Sequence, residues 1–201
     1  MLRKYHLITT ILICLLSVSC TKKKVSGLDY IRYIENEDNG LKVSRNIDGI
    51  KYSVMYKPVD FVLLKENRND NLKEKREDLI GMQYYTLSYS LITNDKDILK
   101  AKLNSKDEYF ERVNYFSFGL QNDVFLVDGK DTLKCKLFNY VRSYGLSPRA
   151  DFIMAFETKT KKTIEDKRIV IEDKIYGGGI INLKIAKKDI ENIPELIEQQ
   201  L

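Results

Sequence analysis

The sequence predicts an α+β domain, an antiparallel sheet built from hairpins with several short helices packed on it, on three observations. Two tight-turn signals, Asp48-Gly49 and Asp128-Gly129, each sit between runs rich in β-branched and aromatic residues, as in two hairpins. From Gln83 onward, Tyr85, Leu87, Tyr89 and Leu91 alternate with Tyr84, Thr86, Ser88 and Ser90, the two-residue period of a half-buried strand. Segments with helical spacing lie between these strands, and hairpins interleaved with helices settle as an antiparallel sheet with helices against one face.

Taken in order, Leu28, Ile31 and Ile34 recur at helical spacing with Tyr30 and Tyr33 on the adjoining face, and Asn39-Gly40 ends that helix. Residues 41–56 form the first hairpin, broken by Pro58, which has no backbone N–H to donate. Residues 61–64 are an apolar run too short for its period to decide its type. Residues 71–80 read as a charged helix with Leu72, Leu79 and Ile80 inward and Gly81 as its stop. Helical spacing resumes between Asp95 and Phe118 in two pieces, because Ser105-Lys106-Asp107-Glu108 is a capping box ahead of Tyr109, Phe110 and Val113; Gly119 closes it. Residues 124–141 form the second hairpin, 144–148 a loop, and 152–156, 169–171 and 180–185 the remaining strands. Pro194 starts a short terminal helix carrying Leu196, Ile197 and Leu201.

A chain of 201 residues can bury one core without disulfides or metals, because domains of ~150 residues already bury about two thirds of their unfolded surface. The formal net charge of +5 falls to +3 without Arg3 and Lys4, the only charges before Cys20. Beyond Lys22-Lys23-Lys24, lysines alternate with Asp and Glu, which is a solvated surface and not the one-sided basic face of a nucleic-acid binder.

The amino-terminal segment has a short positive head, Arg3-Lys4, then a mainly apolar stretch from Leu7 to Val18. As a helix that stretch spans roughly 18 Å, short of the ~30 Å hydrocarbon core, so it reads as a secretory signal and not as a membrane span. Its boundary, Ser17-Val18-Ser19-Cys20, resembles the lipobox of bacterial lipoproteins. The resemblance implies that the Cys20 thiol receives a diacylglyceryl group, that the chain is cut before it, and that the new amino terminus is acylated. Residues 1–19 are then the signal, 20–27 the lipidated cysteine and tether, and 28–201 the single domain. Three acyl chains anchor a protein permanently, so the implied partner is a membrane. With neither an Asp directly after Cys20 nor an acidic tract beyond it, the resemblance implies the periplasmic face of the outer membrane.

Processing at Cys20 has a subtractive consequence. His6, the only histidine, lies before the cut, so the mature chain has no Ser-His-Asp or Cys-His machinery and none of the usual zinc sites. Of three cysteines only Cys135 remains in the domain. Alternation places Leu133, Cys135 and Leu137 on one face, a buried structural thiol with no disulfide partner.

The acidic groups Glu35/Glu37/Asp38, Asp95/Asp97, Asp107/Glu108, Glu165/Asp166 and Glu172/Asp173 sit among Lys, Asn and Gly in loops and helix starts, as solvated charge. Neither Asn36-Glu37-Asp38-Asn39-Gly40 nor Asn94-Asp95-Lys96-Asp97 has the full calcium loop with its closing bidentate Glu. Gly177-Gly178-Gly179 precedes a strand, which makes it a turn or bulge and not a phosphate cradle. No cofactor is implied.

Two exposed features remain as candidate binding residues. Tyr84 points outward from the tyrosine-rich strand, and the loop from Arg142 to Arg149, with Tyr144 between, mixes Arg, Tyr, Gly and Pro as binding loops do. The expectation is a lipid-anchored envelope protein that binds a ligand or an envelope protein and is not an enzyme. The alternative is a carboxylate-based hydrolase of an envelope polysaccharide or peptide.

Overall fold

Alternation along each strand sorts side chains into two sets, and here one set faces inward from a sheet that curls almost closed. The computed structural model describes residues 22–66, 72–158 and 164–197; the expected signal, Cys20 and Leu201 lie outside them. The strands of the main sheet are β2 (Lys42–Ile47), β3 (Ile50–Lys57), β4 (Met82–Leu91), β5 (Val124–Asp128), β6 (Asp131–Val141), β7 (Ala150–Glu157), β8 (Lys167–Asp173) and β9 (Gly179–Ile185). They pair in the order β2-β3-β4-β7-β6-β5-β8-β9, every neighbouring pair antiparallel, and β9 returns alongside β2 and β3.

The antiparallel sheet and its two hairpins follow the sequence. Asp48 and Gly49 adopt φ of 49° and 85°, the left-handed pair that a two-residue hairpin turn requires, with Ile47 opposite Ile50. The second turn sits one residue later than expected, at Gly129-Lys130, because Asp128 pairs with Asp131. The sheet dominates over the short helices and curls nearly closed. A curled sheet packs its inner face on itself, and the helices are left to close its ends.

Tyr52 and Val54 of β3, Tyr85, Leu87 and Tyr89 of β4, and Phe152, Met154 and Phe156 of β7 fill the interior. At one end, Tyr56 and Tyr85 meet at 5.4 Å, and α1 (Gly27–Glu35) and α2 (Val59–Glu66) bury Tyr30, Ile34 and Phe61 against the core. A third helix, α3 (Leu72–Leu79), packs on α2. At the other end, α4 (Lys106–Asn114) runs into a wide turn, Tyr115–Gly119, that drives Phe116 into the mouth of the barrel. Its ring lies 5.1 Å from Phe152, 5.7 Å from Tyr89 and 5.8 Å from Tyr140.

The capping box at α4 is shifted by one residue. Ser105 Oγ accepts from the Glu108 N–H at 3.1 Å, but Glu108 Oε2 accepts from the Asn104 N–H at 2.8 Å. One turn on, the buried Arg112 donates to the carbonyls of Leu99 and Ala101 at 2.9 and 2.7 Å and to Glu108 at 3.0 Å, fastening α4 to the preceding turn.

Several expectations are corrected. Leu28 and Ile80 are exposed, since Tyr30 and Ile34 carry the buried face of α1 and Ile80 lies past the end of α3. Residues 59–66 are a helix. Pro194 starts no helix: Glu195–Leu196 is a short strand, β10, pairing in parallel with β1 (Lys24–Val25), so the expected tether is folded from Lys24 onward. A fifth helix, α5 (Lys187–Glu191), precedes that pair. Leu137 does not share the inner face with Leu133 and Cys135, because a bulge between Cys135 and Leu137 shifts the register and turns Leu137 to solvent.

Cys135 itself is buried, and its Sγ donates to the Leu137 carbonyl at 3.0 Å. Burial pushes the thiol up to about 11, although a contact with the Ala155 carbonyl opposes this. Since the thiolate is the nucleophile, alkylation of the folded chain at neutral pH is expected to be at least ~100-fold slower than in denaturant. Equal rates would contradict the burial of Cys135.

Candidate functional site

The outward set of side chains makes a surface on which five strands act together. Register aligns Ser44, Ser53, Ser88, Asp151 and Val141 in one rung across β2, β3, β4, β7 and β6, and Lys42, Met55, Thr86, Ile153 and Asn139 in the next. A third rung carries Lys57, Tyr84, Ala155 and Leu137. Over these rungs lies a groove of about 500 Å³, rimmed by Glu35 at the end of α1 and by Arg149 at the start of β7.

Its charges are unequally engaged. Lys42 is held by Glu37 at 2.6 Å, Glu35 by Lys65 at 2.7 Å, and Asp151 by Arg149 at 3.4 Å as well as by the Ser88 hydroxyl, which donates to it. Lys57 is half-buried, and its ammonium has no ion pair or hydrogen bond among the described residues. Burial lowers its pKa from the usual lysine value, more than Asp151 and Glu35 raise it. Thr86 Oγ1, in the same groove, is buried with no hydrogen-bond partner among the described residues.

Of the residues expected from the sequence, Arg149 reaches this groove. Tyr84 flanks it, opposite Lys57, but is half-buried and its hydroxyl donates to the Leu79 carbonyl at 3.3 Å, fastening the end of α3 to the sheet. Arg142 and Tyr144 pair with each other on the β6–β7 loop, guanidinium over ring at 5.0 Å, with Tyr144 exposed at a φ of 52°. Lys57, Thr86, Ser88 and Asp151 join the groove without a local sequence signal. Thr86 and Ser88 are outward positions of the cleanest alternation in the chain, but nothing local marks them as neighbours of Asp151. Lys57, directly before Pro58, reads as a strand end.

The short-spaced acids and amides serve turns. Asn36 accepts from the Asp38 N–H, Asn94 from the Lys96 N–H and Asp97 from the Leu99 N–H, all near 3.1 Å or less. Asp166 accepts from the Lys187 N–H at 2.8 Å and pairs with Lys184, contacts that hold its carboxyl below the usual range. Among the described residues no group of three or more His, Cys, Asp or Glu side chains is placed to hold a metal ion.

The glycine cluster does cradle an anion, the chain's own. Asp173 Oδ2 accepts from the Tyr52 hydroxyl at 2.7 Å and from the Gly178 N–H at 2.8 Å, and Oδ1 from the N–H groups of Ile175 and Tyr176 at 3.0 and 3.2 Å. A Cβ at Gly178 would lie 2.9 Å from that carboxylate and 3.0 Å from the Tyr52 hydroxyl, which is why glycine stands there. The arrangement is an internal clamp on the end of β8.

No protein-family model matches the chain, and comparisons with curated proteins and with solved structures return no match.

Proposed function

We propose that the protein is a lipid-anchored binding protein of the bacterial envelope, non-enzymatic, held at the periplasmic face of the outer membrane through acyl chains on Cys20. The observation that carries the binding half is the outer groove, where the Lys57 ammonium and the Thr86 hydroxyl have no partners among the described residues. The filled interior supports the same reading, because aromatic side chains occupy the barrel and its ends are closed by short helices, which leaves the outside to meet ligands. For the anchor the support is the lipobox-like Ser17-Val18-Ser19-Cys20 together with β1, which places folded structure four residues beyond Cys20.

The hydrolase alternative has one observation in its favour, that Glu35 and Asp151 line the same groove. Both carboxylates are already engaged, with Lys65 and with Arg149 and Ser88, an arrangement suited to holding the groove's shape and not to passing protons.

A Cys20→Ala chain is expected to lose labelling by a fatty-acid analogue and to leave the membrane fraction, since Cys20 is the cysteine at the lipobox-like boundary. Retention of both label and membrane association would overturn the anchor.

A further inference from the structure

We propose that the outer-face groove binds a small carboxylate monoanion with an apolar body, the Lys57 ammonium serving as its counter-ion. The inference rests on the binding reading of the groove and is independent of the anchor at Cys20.

The argument is one of charges left over. Lys42 and Arg149 have counter-ions at 2.6 and 3.4 Å, whereas Lys57 has none within ion-pairing distance among the described residues. A partly desolvated ammonium without a counter-ion is costly, and an arriving anion removes that cost. A cationic ligand finds no such opening, because Glu35 and Asp151 are both engaged.

The same two acids set the charge of the ligand. They line the same groove as Lys57, so a dianion such as a phosphate monoester, with two negative charges for one unpaired ammonium, meets more repulsion from them than a carboxylate with one. Met55, Ile153 and Val141 line the groove among Ser53, Thr86 and Ser88, giving apolar surface for the body of such a ligand. Its volume of about 500 Å³ lies within the range of small-molecule sites.

The probes are hexanoate, hexyl phosphate and hexanol, titrated by calorimetry into the full-length chain in detergent. Hexanoate is expected to bind saturably, one per chain, and at least about tenfold more tightly than either of the others. Lys57→Met keeps the aliphatic stem and removes the charge, so it should weaken hexanoate about tenfold or more without lowering the thermal midpoint, while Lys134→Met on the exposed face of β6 leaves affinity unchanged. Equal affinity in Lys57→Met, tighter binding of hexyl phosphate or hexanol, or no saturation by about 10 mM would each overturn the site. The Cys20→Ala chain separates the two ideas: hexanoate binding retained there supports the groove whatever becomes of the anchor, and its failure in both chains sinks the groove while acyl labelling still decides the anchor.

Discussion

Replacing Phe116 with alanine is expected to lower the unfolding free energy by about 4 kcal/mol, the upper part of the range for a buried aromatic. The ring is fully buried where α4 and its following turn push it into the barrel mouth, against Tyr89, Phe152, Tyr140 and Tyr176. Removing it leaves a void beside rings that belong to four different segments, which cannot all move in at once. The turn that delivers Phe116 is itself constrained: a Cβ at Gly119 would lie 2.5 Å from the Tyr115 ring. Urea unfolding should show a lower midpoint with an unchanged slope. A loss below about 1 kcal/mol would mean that the mouth is closed by something other than this ring.

Asp173→Ala is expected to cost about 3 kcal/mol, because it leaves the Tyr52 hydroxyl and three backbone N–H groups without their acceptor in a buried setting. Asp173→Asn should lose somewhat less, about 2 kcal/mol, since the amide keeps one acceptor but turns its NH₂ toward donors. Burial and the Asp173 hydrogen bond both hold the Tyr52 phenol well above its ordinary value, so Tyr52→Phe is the milder companion change. Equal stability of the Ala, Asn and wild-type chains in urea would contradict the clamp. Gly178→Ala offers a separate check through sterics alone, because it forces the carboxylate and hydroxyl apart without removing either.

What the sequence discloses and what it withholds divide along the distance over which each feature is determined. The turn at Asp48-Gly49, the inward set Tyr85, Leu87 and Tyr89, and the Ser105 cap are decided by neighbours a few residues away, and each is where the pattern puts it. Closure of the sheet depends on β7 inserting between β4 and β6 and on β8 pairing with β5, choices among strands far apart in the chain that periodicity does not rank. Pro194 misleads for a related reason. Its fixed φ suits a helix start equally with an extended strand, and pairing with Lys24 and Val25 decides for the strand.

The candidate site was legible only at its rim. Arg149 stood out because loop composition flags it, whereas Ser88 and Asp151 acquire meaning only when two strands come into register. Lys57 carries no local signal at all. A lysine at a strand end is ordinary in sequence, and its lack of a counter-ion is a property of the assembled groove.

The barrel is not hydrogen-bonded all the way round: β2 and β9 are the two ends of the strand order, yet they lie alongside each other. Free strand edges invite addition of strands from other chains, the first step toward fibres. Here each edge lies against the other, and Arg45 and Asn46 on β2 and Asn182 and Lys184 on β9 are exposed polar residues on the two edge strands. A foreign strand would have to part β9 from β2 before it could dock. Protection of both strand edges therefore follows from incomplete closure in which the gap guards itself.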